Sequence, residues 1–167
     1  MTERFKLFFA QIIKNEGEYV NDPSDSGGET LYGITKRDHP VEFDQMKLLW
    51  FEGKRDEAIA IAGELYQKEY YNLLYEQINN VGVAFRLTDF GVNAGVHTAV
   101  KHLQQTLQIS NDGIFGSGTL KATNDAGDSL YENYNNNLKA YYQSLVDKNP
   151  KNQKFLKGWL NRLEITI

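Results

Sequence analysis

The chain has 167 residues, 41% of them hydrophobic and 24% charged, which suits one compact domain or two small lobes. It contains no cysteine, which excludes disulfide staples, thiol catalysis and cysteine metal sites. Its net charge is −4 with no contiguous basic run, which argues against nucleic acid as a partner.

Phe5, Phe8, Phe9, Ile12 and Ile13 recur at helical spacing, so residues 3–15 read as an amphipathic helix that Gly17 ends. That apolar run is too short and too interrupted for a signal peptide or a membrane span. Residues 17–35 are turn-rich, with Val20 and residues 31–34 predicted as two short strands around the tip. Residues 54–75 read as a helix with an aromatic end. Residues 81–108 read as helical with a break at 91–95. Asn111-Asp112-Gly113 signals a turn, and Gly116, Gly118 and Thr119 introduce a short helix. Residues 128–147 and 152–163 read as the last two helices, separated by Pro150. The predicted fold class is mainly α (α+β), helical with a small N-terminal β-hairpin. The expected division is 1–90 and 91–167, packed as one compact unit.

The chemistry concentrates between Asn15 and Thr35, where five carboxylates and four glycines stand. Glycoside hydrolysis needs one acid to protonate the leaving oxygen and a second carboxylate to handle water or stabilise positive charge. Glu16 sits where an apolar helix meets a polar loop, and partial burial there would raise a general acid's pKa. The plainer alternative is a solvated helix-end glutamate. Asp25 follows nine residues later and Thr30 five after that, so a hairpin can fold all three toward one cleft. Asp25 would orient water or stabilise an oxocarbenium-like state, and Thr30 would position the water. The competing reading makes Asp22 and Asp25 turn residues around Pro23, and Thr30 a strand residue. Tyr19 and Tyr32 are candidate cleft linings. Glu18 and Glu29 read as solvated. His39, His97 and His102 read as surface or core residues, because His97 and His102 lie five apart and do not share a helix face. In residues 112–120, Gly113 and Gly116 are expected to take unusual backbone angles and Ser117 to cap the next helix; the functional alternative is a wall-binding loop.

Glu16-Gly17-Glu18-Tyr19-Val20-Asn21-Asp22-Pro23, then Asp25, Gly27-Gly28-Glu29-Thr30 and Gly33-Ile34-Thr35, resembles the signature of glycoside hydrolase family 108. These are lysozyme-like N-acetylmuramidases found among phage endolysins and bacterial secretion-associated muramidases. Asp89-Phe90-Gly91-Val92-Asn93-Ala94-Gly95 is similar to a second family block. Residues 112–120 look like its attached predicted peptidoglycan-binding region, and Gly158-Trp159-Leu160-Asn161-Arg162 is similar to a closing Gly-Trp-x-x-Arg pattern. The family's catalytic glutamate, in Glu-Gly-Gly-Tyr, carries over onto Glu16, with Glu18 standing where the second glycine is usual. The Glu16, Asp25, Thr30 spacing resembles that of phage lysozymes.

The resemblance implies a lysozyme-like fold and a muramidase cleaving the β-1,4 bond between N-acetylmuramic acid and N-acetylglucosamine. Glu16, Asp25 and Thr30 are its expected catalytic set, and Tyr19, Tyr32 and Asn93 its expected substrate contacts. No metal or organic cofactor is required. The expected partner is the peptidoglycan glycan strand, met by a monomer without membrane insertion. The expected setting is an endolysin made in the host cytoplasm and released to the wall through a holin. The alternatives are a secretion-associated muramidase, a lytic transglycosylase also using Glu16, and a non-catalytic peptidoglycan-binding protein.

Overall fold

A computed structural model describes residues 1–21 and 28–167. The described chain is mainly α, with eight α-helices and one small antiparallel sheet, in keeping with the lysozyme-like expectation. It forms two compact units, residues 1–71 and 72–167. The boundary expected after residue 90 falls inside the continuous helix Val81–Ala94.

In the first unit, α1 spans Glu3–Ile12 and is capped by the Thr2 hydroxyl, which accepts from the Phe5 N–H at 3.3 Å. Its Phe5, Phe8, Phe9 and Ile12 are buried, and each contributes roughly 1.5–3 kcal/mol by leaving water. The helix stops earlier than predicted and tightens into a 3-10 turn, Ile13–Asn15. The Phe5 ring meets Tyr71 at 5.0 Å and the Phe9 ring meets Tyr66 at 5.4 Å.

Three strands follow where two were predicted: β1 (Val20–Asn21), β2 (Glu29–Leu31) and β3 (Ile34–Thr35), in the order β1-β2-β3. Val20 pairs with Thr30, Thr30 with Thr35, and Leu31 with Ile34. Residues 31–34 are therefore not one strand. Tyr32 (φ +52°) and Gly33 (φ +77°) form a two-residue hairpin loop with both φ angles positive.

Helix α2 (Pro40–Phe51) has proline at its start and no counterpart in the sequence reading. It buries Phe43 and Met46 but leaves Val41, Leu48 and Phe51 exposed, so no single apolar face marks it. Helix α3 (Arg55–Tyr70) ends before the predicted residue 75, because Tyr71 turns extended.

In the second unit, Asn72 opens a 3-10 helix, Leu73–Gln77. Then come α4 (Val81–Ala94), α5 (Val96–Thr106), α6 (Ser117–Asp125), α7 (Leu130–Lys148) and α8 (Gln153–Leu163). The predicted break between α4 and α5 is made by Gly95 at φ +88°. A 3-10 turn, Pro150–Asn152, separates α7 from α8. Arg86 is wholly buried; its Nη2 donates to the carbonyls of Leu163 (2.7 Å) and Ile165 (2.8 Å), tying the last residues to α4.

Candidate active site

Glu16 follows the 3-10 turn directly. Its N–H donates to the Ile13 carbonyl at 3.2 Å, and its backbone turns extended (φ −88°, ψ 138°). The side chain is half-buried and packs on the β2–β3 loop. A Cβ placed on Gly33 would lie 3.0 Å from Glu16 Oε2 and would collide with the Tyr66 hydroxyl. Only glycine fits there, for reasons of space and of its positive φ. The Tyr66 hydroxyl donates to the Tyr32 carbonyl at 3.2 Å, which pins the loop carrying Gly33 to α3.

Tyr70 lies one turn further along α3, its ring 5.5 Å from that of Tyr66. Burial pushes its phenol pKa up, with Glu69 next and the charges of Glu16 and Asp38 adding to the shift. The hydroxyl therefore stays a protonated donor beside acidic groups. Thr35 Oγ1 donates to Asp38 Oδ2 at 2.6 Å, and the Arg37 and Thr35 contacts hold the Asp38 pKa down to about 2. His39 Nε2 is 3.0 Å from Glu69 Oε1.

Tyr19 is placed between the hairpin and α2. Its hydroxyl donates to Glu29 Oε2 at 3.3 Å, and its ring lies 5.6 Å from Trp50 and 5.7 Å from Phe51. Lys47 Nζ sits 5.4 Å from the same ring and pairs with Glu29 at 2.5 Å. Glu29 is thus no solvated residue. The Lys47 ammonium holds its carboxyl below the usual range, because α2 brings a cation to the hairpin. Glu18 is the solvated one, its ion-pair partner among the described residues being Arg55 at 4.0 Å.

Thr30 is half-buried on the sheet face it shares with Val20 and Thr35, opposite Glu29 and Leu31. Tyr32 is 5% exposed, and its carbonyl is the loop group that accepts from Tyr66. Asp22 and Asp25 lie outside the described residues. Asn93 belongs to the second unit, where its Nδ2 donates to the Tyr142 hydroxyl at 2.7 Å.

The loop at residues 112–120 is organised from within. Gln104 Nε2 donates to Asp112 Oδ1 (2.7 Å) and Thr119 Oγ1 (3.1 Å), and its Oε1 accepts from the Gly113 N–H (2.8 Å). Gly113 has the expected positive φ (+73°). Gly116 is ordinary extended backbone and itself occupies the cap position before α6, so Ser117 is not the cap.

Sequence reasoning missed Tyr66, Tyr70, Lys47, Trp50 and Phe51. Each lies on α2 or α3, more than 25 residues beyond Glu16, and no local spacing links them to it.

The sequence matches the family model described as Glycosyl hydrolase 108 over residues 9–95, and the one described as Predicted Peptidoglycan domain over residues 98–164. Among solved structures it is similar to Brucella abortus SagA, with 26% identity and a TM-score of 0.66, over 95% of this chain and 88% of that one. No curated protein matches it.

Proposed function

The chain belongs to the glycosyl hydrolase 108 family, as a glycoside hydrolase acting on peptidoglycan, and on that premise we propose that Glu16 is the general acid of an N-acetylmuramidase. The bond cleaved is the β-1,4 link from N-acetylmuramic acid to N-acetylglucosamine. One observation carries this reading: the half-buried Glu16 carboxylate lies against Gly33, whose missing Cβ lets the acid come so close.

In the mechanism, protonated Glu16 donates its proton to the leaving glycosidic oxygen as the C1–O bond breaks and positive charge develops on the sugar ring. Asp25 stabilises that charge or orients the attacking water, and Thr30 helps hold the water. Water adds its oxygen to C1, and its proton leaves through a carboxylate. Tyr19, beside the exposed Phe51, offers a ring for a neighbouring sugar to stack on.

Digestion of purified sacculi by the parent protein and by Glu16→Gln, with products weighed by mass spectrometry, tests the assignment. Reducing muramic-acid ends from the parent alone support it. 1,6-Anhydro ends, lighter by one water, would reassign the chain as a lytic transglycosylase.

The setting we infer is a phage endolysin acting as a monomer on the wall after release through a holin. Its substrate lies beyond the membrane that encloses its synthesis, and a holin supplies the passage. Co-expression with and without a holin, followed by host lysis, tests this.

A further inference from the structure

The first unit sets a buried phenol against Glu16. Tyr66 stands on α3 and is 3% exposed, too deep for a glycan strand to touch. Its hydroxyl occupies the space that a Cβ on Gly33 would fill, and Glu16 Oε2 lies 3.0 Å from that same point. The missing carbon therefore lets the phenol and the acid converge from two sides of one glycine.

A phenol carries a single hydrogen. Tyr66 gives it to the Tyr32 carbonyl at 3.2 Å, and the direction of that bond is fixed, because a carbonyl oxygen has nothing to donate. The phenol oxygen then has lone pairs left to offer the acid. A lone pair repels the oxygen of an ionised carboxylate, and it accepts from a carboxylic O–H. Tyr66 is thus complementary to a Glu16 that carries its proton.

The charged groups of the same cluster do not reverse that preference. Tyr70, one turn along α3, has its phenol pushed up by burial first and by Glu69 next, with the charges of Glu16 and Asp38 adding. The cations here are His39 and Arg37, and each faces a carboxylate of its own. His39 Nε2 is 3.0 Å from Glu69 Oε1, and Arg37 Nε donates to Asp38 Oδ1 at 3.0 Å.

We propose that Tyr66 is a positioning residue for the acid: its oxygen accepts the Glu16 O–H and keeps the proton on the carboxyl until the glycosidic oxygen takes it. The proposal rests on the reading of Glu16 as general acid, and it adds a residue that touches neither the sugar nor the breaking bond. Rotation of the carboxyl about Cγ–Cδ carries the O–H from Tyr66 to the leaving oxygen. Glu16 is left as a carboxylate, and the same lone pair favours its taking a proton back from solvent.

Tyr66→Phe removes the oxygen and keeps the ring. A general acid loses activity as pH rises, so the alkaline limb of kcat/KM on sacculi is expected to move to lower pH. The movement should be about half to one pH unit, the order of one hydrogen bond. KM is expected to hold, since the hydroxyl is out of the strand's reach. A residue that only packed would lower Tm and leave the limb in place. Tyr66→Phe also loses the bond to Tyr32, so 3-fluorotyrosine at position 66 separates the two effects. Fluorine strengthens the hydroxyl as a donor to Tyr32 and weakens its oxygen as an acceptor, and the same downward movement is expected. A limb that stays in place or rises in either protein overturns the proposal.

NMR titration of isotope-labelled glutamate carboxyls, with Glu16 identified by its absence from Glu16→Gln, reads the same change without turnover. A parent that releases no reducing ends, but whose Glu16 titration falls in Tyr66→Phe, sinks the muramidase reading alone. A working muramidase whose Glu16 titration is unmoved by Tyr66→Phe sinks the role of Tyr66 alone.

Discussion

Glu16 Oε2 and Gly33 are in such close apposition that a single added carbon on Gly33 would sit 3.0 Å from the carboxylate oxygen. The acid and the hairpin loop therefore set each other's position. Gly33→Ala is expected to cost about 1–3 kcal/mol from backbone strain, with a further loss of activity as Glu16 and Tyr66 are displaced. Gly28→Ala supplies the comparison: its φ is also positive (+70°), but an added Cβ meets nothing within 4 Å. Thermal melts and sacculus turnover on both variants check this. Equal activity in the two would remove Gly33 from the site's architecture.

Glu16→Gln keeps the shape of the side chain and removes the transferable proton. Turnover is expected to fall by about 10²–10⁴-fold, the usual worth of a positioned acid, with the Tm little changed. Clearing of purified sacculi, followed as reducing ends per minute, measures it. Parental rates from the variant would end the assignment.

Tyr19→Ala is expected to raise KM for glycan strands by about tenfold, the order of one aromatic contact, with a smaller effect on kcat. Tyr19→Phe keeps the ring and should stay within about twofold of the parent, because its hydroxyl makes one long bond to Glu29. A KM insensitive to both changes would take sugar stacking away from Tyr19.

The Glu29–Lys47 pair makes a pH prediction. Lys47 lowers the Glu29 pKa from 4.5 in the folded state, so the unfolded chain binds the proton more readily. The pair's stabilising effect is present above 4.5 and is lost as pH falls through the lower folded value. The Tm difference between the parent and Glu29→Gln should therefore shrink from about pH 5 toward about pH 3. A difference that stays constant over that range would contradict the linkage.

Asp89, buried beneath two guanidinium groups, holds the second unit's motifs together. Its Oδ1 accepts from Arg162 Nε at 2.9 Å, and its Oδ2 from Arg86 Nη1 at 3.2 Å. Burial pushes its pKa up, and the two arginines pull it back. Asp89→Ala leaves Arg86 buried without its counter-charge and is expected to cost about 3–5 kcal/mol. Urea unfolding monitored at Trp159 measures this. A loss below about 1 kcal/mol would show the network to be dispensable.

That same pair explains part of what was legible beforehand. The Asp89 to Gly95 block and the closing Gly-Trp-x-x-Arg pattern stand out in the sequence as separate marks, and the fold joins them through the Asp89–Arg162 ion pair. Helices α1, α4, α5, α7 and α8 were readable because each sets apolar residues at helical spacing against a core. The break at Gly95 was readable because few other residues adopt its backbone angle. Glu16 stood out by its place between an apolar helix and a glycine-rich turn.

Other features had no local mark. Helix α2 hides because its apolar residues fall on several faces, and with it the Lys47 that pairs with Glu29. The extra strand hides because Tyr32, an aromatic, occupies a backbone region usually left to glycine or asparagine; Tyr66, 34 residues on, holds it there.

By itself the sequence determined the helical class and the family and singled out Glu16 as the candidate acid, because periodicity and a contiguous motif are local properties. Only the tertiary structure decided where that acid rests, which ring faces the hairpin and which glycine must stay a glycine. Those depend on atoms brought within bonding distance from residues far apart in the chain.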